Sequence, residues 1–416
     1  MKITKLYARQ VLDSRGNPTI EVEAYFNNYV GRAIVPSGAS TGKYEALELR
    51  DGKKDYFGKS VMKTLDNVNN IISRKLLGKE FLNQRAVDDL LIQIDGTPNK
   101  SRLGANAILG VSMAVCRLAA AVKQKPLYEY IGEISGVERK NYRIPVPFAN
   151  IINGGKHAGT SLKMQEFMIA AVNAKSFKDA ARMTSETYHI LKGLIEEKYG
   201  KSATNVGDEG GFAPQLTTPE QALDLITVAI KKSGYKRKLK IAMDCAASEF
   251  YDEKEKKYVL EKSYTKDEMI DYYIRLLKKY DLYSIEDPFD QDDFEGFNKL
   301  TALAKKTPII GDDLLVTNPE RIKYAIDNKL CNALLLKVNQ IGTVSEAINA
   351  AKLAYSAGWK VMVSHRSGET EDTFIADLAV GLGCGMIKLG APCRGERVAK
   401  YNQLLRIEEN KIKYGL

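Results

Sequence analysis

Residues 19–26 alternate apolar and polar positions, from Thr19 and Ile20 through Glu21, Val22, Glu23 and Ala24 to Tyr25 and Phe26. Turn residues bracket them, Gly16-Asn17-Pro18 before and Asn27-Asn28 after, so the stretch predicts a half-buried strand. Residues 106–122 are apolar on nearly every side, which predicts a buried helix rather than a surface one. Residues 132–143 carry glycine, serine and charge and read as a linker. The first part of the chain is therefore expected to be an α+β domain over residues 1–138, followed by a second domain over 139–416.

The second part has a rhythm. Short apolar runs, rich in β-branched residues, each end in one ionisable residue: Asp244, Glu286, Asp312, Lys337, His365 and Lys388. Amphipathic helical text separates them, with capping boxes at Thr265/Glu268 and Thr343/Glu346 and an Asn318-Pro319 helix start. Strand and helix in regular alternation predict parallel βα units. Six consecutive units, with room upstream for more, favour a closed (β/α)8 barrel, and such barrels carry their chemistry at the C-terminal ends of the strands. An acid after one strand is usually a turn or helix cap. Six ionisable ends in succession, three acids and then three bases, make that bland reading improbable.

Composition narrows the class. With 416 residues, 44% hydrophobic and 27% charged, the chain can bury a sizeable core and is neither fibrous nor disordered. The apolar zone 105–116 is cut by Arg117 and is expected to be too short to span a bilayer, and no apolar leader follows Met1. Five cysteines without a metal-binding spacing read as reduced, mostly buried thiols of a cytoplasmic protein. The net charge of +10 is spread along the chain. A lysine-rich solvated surface explains it better than a nucleic-acid groove, because the densest stretch, 236–240, has no interleaved aromatics.

Asp244, Glu286 and Asp312 on adjacent strand ends would repel unless a cation joined them. Oxygen ligands alone suit a hard divalent ion such as Mg²⁺, and zinc is disfavoured because no Cys or His joins the acids. The following cations need an anionic substrate; Arg366 offers a two-pronged grip on phosphate or carboxylate, with Ser367 beside it. A lysine next to a metal and another cation would lose its proton more readily, its pKa moving from about 10.4 toward neutrality. Lys337 or Lys388 is then a candidate base for a proton next to a carboxylate; simple anion binding explains the lysines equally well from spacing alone. In the Gly207–Gly211 turn, Glu209 is a candidate acid. The loop 153–159 carries His157, and the small polar run 37–43 suits a lid. That run is not a phosphate-binding P-loop, and no dinucleotide, serine-hydrolase or zinc-protease motif occurs.

At these residues the chain resembles the enolase family. The resemblance is carried by segments 13–19, 35–42, 104–107, 152–155, 157–159, 164–168, 207–211, 284–289, 311–314, 337–342 and 364–372, in family order along nearly the whole length. It implies an N-terminal α+β domain capping a TIM-type barrel of the enolase kind, whose early strands and helices run in a ββαα order. It implies Mg²⁺-dependent, reversible dehydration of 2-phosphoglycerate to phosphoenolpyruvate. Asp244, Glu286 and Asp312 would hold the first of two Mg²⁺ ions, and Ser40 would hold the second, arriving with substrate. Lys337 would be the base at C2 and a protonated Glu209 the acid at the C3 hydroxyl, with Glu166 assisting and His157 on a closing loop. Gln165, Arg366, Ser367 and Lys388 would contact substrate. The chain departs from the family pattern at Lys156 and Leu389 and looks shortened over 251–266. A homodimer is implied, with Arg15, Glu21, Arg406 and Glu409 in the contact segments and ion pairs between subunits. Rival readings are another acid-sugar dehydratase or racemase of the wider superfamily, an inactive adhesion protein that kept the fold, and an added RNA- or receptor-binding role.

Overall fold

The computed structural model describes residues 2–39, 41–81 and 83–416. Strands β1 (Lys5–Leu12), β2 (Pro18–Phe26) and β3 (Tyr29–Ile34) form an antiparallel meander, so the predicted strand exists and has partners on both edges. The β1–β2 turn is closed by the Asp13 carboxylate, which accepts from the backbone N–H groups of Arg15 and Asn17 at 2.8 and 2.9 Å. One face of the sheet lies on the helix Ala105–Val122, whose turns are buried almost throughout. The helix is long and apolar enough to cross a bilayer, against the expectation that Arg117 cuts it short, but 83% of that stretch is buried inside the protein. Arg117 is accommodated because its Nη2 reaches the Asp372 carboxylate at 2.6 Å. The closest approach is at Gly31, where a Cβ would stand 2.1 Å from the Ala114 carbonyl oxygen and 2.3 Å from the Leu118 nitrogen.

The expected linker is shorter than its composition suggests. Residues 132–135 belong to the helix Leu127–Ser135, and Gly132 is buried with the Tyr142 hydroxyl occupying the place of a side chain. Packing, not flexibility, accounts for that glycine.

The barrel begins with β4 (Val146–Asn153) and β5 (Glu166–Ala170), continues through the helices Phe177–Tyr199 and Pro219–Lys232, and reaches β6 (Lys240–Asp244). A small sheet of β7 (Tyr251–Asp252), β8 (Lys257–Val259) and β9 (Ser263–Tyr264) follows. Then come β10 (Leu282–Glu286), β11 (Ile309–Gly311), β12 (Ala333–Leu336), β13 (Lys360–Ser364) and β14 (Met386–Lys388). The closed order is β10-β11-β12-β13-β14-β4-β5-β6. All six strands expected from the apolar runs are present, and the ββαα start is as the resemblance implied.

The order has a consequence for the site. β5 runs antiparallel to both neighbours, and its first residue, Glu166, pairs with Asn153 at the end of β4 and Asp244 at the end of β6. A carboxylate that begins a strand thus reaches the same rim as those that end theirs. Below the rim the interior is filled by Val146, Phe148, Met168, Ala242, Ala333, Leu335, Met362 and Met386. Two residues nearer the rim on each strand, the same inward face presents Asn150, Glu166, Asp244, Lys337, Ser364 and Lys388, as the two-residue period of a strand requires.

The capping box at Thr265/Glu268 is complete, and Asn318 caps the helix that Pro319 opens. At Thr343 only half forms. The Thr343 hydroxyl accepts from the Glu346 N–H, but the Glu346 carboxylate turns to the Thr343 hydroxyl and to the buried Lys100 at 3.0 Å. That helix start is spent on fastening the N-terminal part to the barrel, as are Asp88 with the Ser345 N–H and Ser112 with the Val344 N–H.

Because the atoms facing Gly31 are helix backbone, they cannot swing aside. Gly31→Ala is expected to destabilise the chain by about 3 kcal/mol, the upper end of ordinary overpacking. A urea unfolding midpoint equal to that of the unsubstituted protein would contradict this contact.

Candidate active site

The rim gathers most of the residues singled out from the sequence. Lys388, 1% exposed, is the hub: its Nζ lies 3.1 Å from Glu166 Oε1, 3.0 Å from Asp244 Oδ2 and 2.8 Å from Glu286 Oε1. Lys337 Nζ lies 2.5 Å from Asp312 Oδ2, whose other oxygen accepts from Gln340 Nε2 at 2.8 Å. Each carboxylate expected to hold metal therefore has a lysine on it. The two sets whose ligand atoms lie within 4.8 Å of one another, among the described residues, are Asp287/Asp312/Asp313 and His157/Glu166/Glu209. A histidine thus does join acids at the rim, on the Glu166 side, while Asp244, Glu286 and Asp312 keep an oxygen-only character. Glu286 Oε2 and Gln165 Oε1 are buried without a hydrogen-bond partner. Gln165 Nε2 reaches Asp244 Oδ2 at 3.4 Å. A buried, unpartnered carboxylate oxygen beside a second carboxylate fits a hard cation.

The lysine pKa values move opposite to the sequence expectation. Burial pushes both down, but Asp312 beside Lys337, and Asp244, Glu166 and Glu286 around Lys388, push them up more. The expected fall presumed a cation already on those carboxylates. Glu286, buried and facing Asp244, is itself pushed well above the ordinary carboxylate range.

The acids form a second pair. Glu166 is pushed well up by burial and by the charge of Glu209. Glu209 goes the other way: burial raises it, but His157 and His365 together with Arg397 more than reverse that. Its Oε2 also accepts from Asn150 Nδ2 at 2.9 Å. The two carboxyls are therefore pushed apart, Glu166 upward and Glu209 downward, the reverse of the order expected for a protonated Glu209. His157 stands between them, its Nδ1 3.4 Å from Glu209 Oε1 and 3.7 Å from Glu166 Oε1. Its loop is folded inward and His157 is buried, not solvent-facing. Lys156 on that loop is exposed and pairs with Glu249 at 2.6 Å, and Leu389 is packed out of solvent behind Lys388.

Arg366 does not present an open fork. Its Nη1 and Nη2 bind the Glu45 carboxylate at 2.9 and 3.1 Å, and Nη1 also donates to Asn339 Oδ1 at 2.9 Å. Ser367 Oγ accepts from the Ala39 N–H at 2.6 Å, which brings the 37–43 run down onto the barrel. Ser37 and Gly368 exchange backbone hydrogen bonds beside it. Ser40 lies outside the described residues. The space left among His157, Gln165, Glu209, Lys337, Arg366 and Lys388 is about 20 Å³. That is room for about one water, so the loops over the rim must move for a substrate to enter.

Several residues at the rim escaped the sequence reading. Asp287 and Asp313 are the second acids of two acidic doublets, and Asp287 accepts the backbone N–H groups of Asp312 and Asp313 at 2.9 and 2.6 Å. The doubled acids were the available signal. Glu45, Asn150 and Arg397 carry no such mark. Within the single chain, Glu21 is bound by Arg9 and Arg32, and Arg15 is 3.6 Å from Asp13 and turns to Ser37 and Gly38.

Comparison with known proteins decides the family. The family description "Enolase, C-terminal TIM barrel domain" matches residues 141–414, and "Enolase, N-terminal domain" matches residues 3–131. The chain belongs to the enolase family. It is 56% identical over 421 residues to Enolase 1 of Entamoeba histolytica, covering 98% of this chain and 96% of that one. An enolase of Solanum lycopersicum is 56% identical over 424 residues, with 98% and 95% covered. One of Methanocaldococcus jannaschii is 57% identical over 410 residues, with the same coverage. The chain is thus a hydro-lyase of the glycolytic phosphopyruvate hydratase kind, and the rim is where an enolase fold would do that chemistry.

Burial holds His365 neutral, its pKa brought down to about 4 despite the pull of Glu209. An unfolded histidine takes up a proton below about pH 6.5, whereas this one refuses it until about pH 4, so stability falls as pH drops through that window. The loss attributable to His365 is expected to reach about 3 kcal/mol. Chemical unfolding at several pH values should show a shallower acid slope in His365→Gln than in the unsubstituted chain. Equal slopes would refute the neutral assignment.

Proposed function

We propose that the chain catalyses the reversible, Mg²⁺-dependent loss of water from 2-phospho-D-glycerate to give phosphoenolpyruvate, with Lys337 taking the C2 proton and Glu209 protonating the departing C3 hydroxyl. The observation that carries the reading is that a lysine at the end of β12 and a carboxyl beside β4 face one enclosed space from different arcs of the barrel. Removal and delivery of protons on different sides of a small substrate need such a separation.

Lys337 must lose its proton before it can act, and at present Asp312 holds it charged. Asp244, Glu286 and Asp312 would hold the first Mg²⁺, and a second, with Ser40 as ligand, would enter with substrate. When bound, the metal would neutralise the carboxylates that keep the lysines charged and would offset the negative charge that builds on the substrate carboxylate. Glu166, whose carboxyl burial and Glu209 push upward, assists from within reach of His157 and Glu209. Gln165 and Lys388 face the substrate carboxylate, and Lys388 brings a charge already balanced against three acids. Arg366 and Ser367 take the phosphate, Arg366 from its seat on Glu45 and Asn339.

The division into a 1–138 cap and a 139–416 barrel is part of this reading, supported by the change from the β1–β3 sheet to the barrel strands. A homodimer is also proposed. Its support is an open cleft of about 720 Å³ lined by Val30, Arg32, Arg117, Tyr128, Arg406 and Ile407, a mixture of apolar and arginine side chains suited to an interface. Free thiols at all five cysteines agree with a cytoplasmic setting.

Phosphoenolpyruvate formation can be followed by its ultraviolet absorbance. Activity with Mg²⁺ is expected to vanish with excess chelator and to fall by about 10⁴-fold in Lys337→Ala. Persistence of activity under either change would overturn the mechanism. Sedimentation velocity of the unsubstituted chain should give a mass of two copies.

A further inference from the structure

We propose that Arg397 is a positioning residue for the dehydration: it fixes His365 as a neutral ring with its proton on Nε2, aimed at the Glu209 carboxylate.

Arg397 lies in the first turn of the helix Gly395–Glu408 and is fully buried. Its ion pair with Glu396, 3.5 Å from Nε, leaves that nitrogen without a hydrogen bond and does not engage the other two. Its other nitrogens all point at the rim. Nη1 lies 2.7 Å from His365 Nδ1 and donates to the Arg366 carbonyl at 2.5 Å. Nη2 donates to the carbonyls of Asp208 at 3.0 Å and Ser367 at 2.6 Å. One side chain therefore ties the segment that supplies Arg366 and Ser367 to the turn that supplies Glu209. Gly390 makes room for it: a Cβ there would stand 2.9 Å from Arg397 Cδ.

The contact with His365 decides where a proton sits. A guanidinium donates only and does not lose its charge at any pH a protein survives. A ring nitrogen 2.7 Å from it must therefore accept, which leaves Nδ1 bare. A bare Nδ1 excludes the imidazolium and leaves the neutral ring one place for its hydrogen, Nε2. That atom is 3.5 Å from Glu209 Oε1 and has no other partner. The groups facing the ring agree. Glu209 attracts the Nε2 proton; Glu369, the remaining acid, is occupied by Lys400 at 2.8 Å; the His365 N–H is anchored on the Lys388 carbonyl at 3.0 Å. Burial and Arg397 together oppose a second proton on the ring.

The chemical effect falls on Glu209. A neutral N–H donor favours its carboxylate without adding a full charge. A protonated Glu209 then gives its proton readily to a departing hydroxyl and is left as a stabilised carboxylate, which in the reverse direction stands ready to take one from water. This catalytic meaning rests on the reading of Glu209 as the acid. The tautomer itself does not.

The chain has three histidines, at 157, 189 and 365, so ¹⁵N-histidine labelling yields a spectrum that can be assigned by loss of signals in His365→Gln and His189→Gln. In the unsubstituted protein, His365 is expected to show an unprotonated Nδ1 and a protonated Nε2, unchanged from about pH 5.5 to 8.5. A protonated Nδ1, or titration inside that range, would overturn the proposal. Arg397→Lys keeps a charged donor and should keep that signature. Arg397→Met should give an averaged ring, a kcat lower by about 10²-fold with a smaller change in KM, and a displaced acid limb of the pH–rate profile. If Arg397→Met lowers kcat while the ring signature stays as it was, Arg397 is only a backbone clamp and the proposal fails. Should that variant not fold, the unsubstituted spectrum and Arg397→Lys still decide. A correct ring signature in a protein without dehydratase activity would sink the functional reading and leave this one standing.

Discussion

Burying a carboxylate without a partner is expensive, and the barrel rim buries several of them within contact of one another. The fold is compatible with them because Lys388 reaches three at once and Lys337 a fourth. Those two ammonium groups are the local cations on which the arrangement depends. The same dependence would make the rim responsive: a divalent ion held there would compete for the oxygens the lysines now occupy, and the lysines' affinity for protons would change with it. Catalytic competence and charge balance are here one problem, set by the ends of β6, β10, β11, β12 and β14.

The remaining parts of the site are held by groups that are not paired to those two lysines. Asp287 receives the backbone N–H groups of the Asp312–Asp313 turn and keeps it in shape. Arg397 fastens the His365–Ser367 segment to the Gly207–Gly211 turn. Glu45 seats Arg366 and also accepts the Gly42 N–H at 3.0 Å, so Arg366 and the Gly42 backbone share a carboxylate. Rigid supports of this kind let the reacting groups stand close without collapsing onto each other.

Much of this was legible in the chain. Barrel strands keep a two-residue alternation, so an apolar run that ends in a charge announces both the strand and the direction of its last side chain; Asp244, Glu286, Lys337 and Lys388 were found that way. What stayed hidden depended on proximity between distant segments. The opposite pKa shifts of Glu166 and Glu209 depend on His157, His365 and Arg397 being near, and nothing in either neighbourhood of sequence says so. Arg397 and Glu45 look like ordinary helix and loop charges until the fold buries them. Gly132 looked like linker because a glycine that makes room for Tyr142 and one that loosens a chain are the same letter.

The reversed strand β5 has a mechanical implication. Glu166 is laced to β4 and β6 on both sides, yet it is the second residue after a loop that has to swing. The hinge post and the acid are thus adjacent, with only Gln165 between Glu166 and the moving part. Were the loop to open, its pull would fall on a backbone already stitched into the wall, and the carboxyl group would stay in place. A parallel strand there would have hung the same acid on the travelling end.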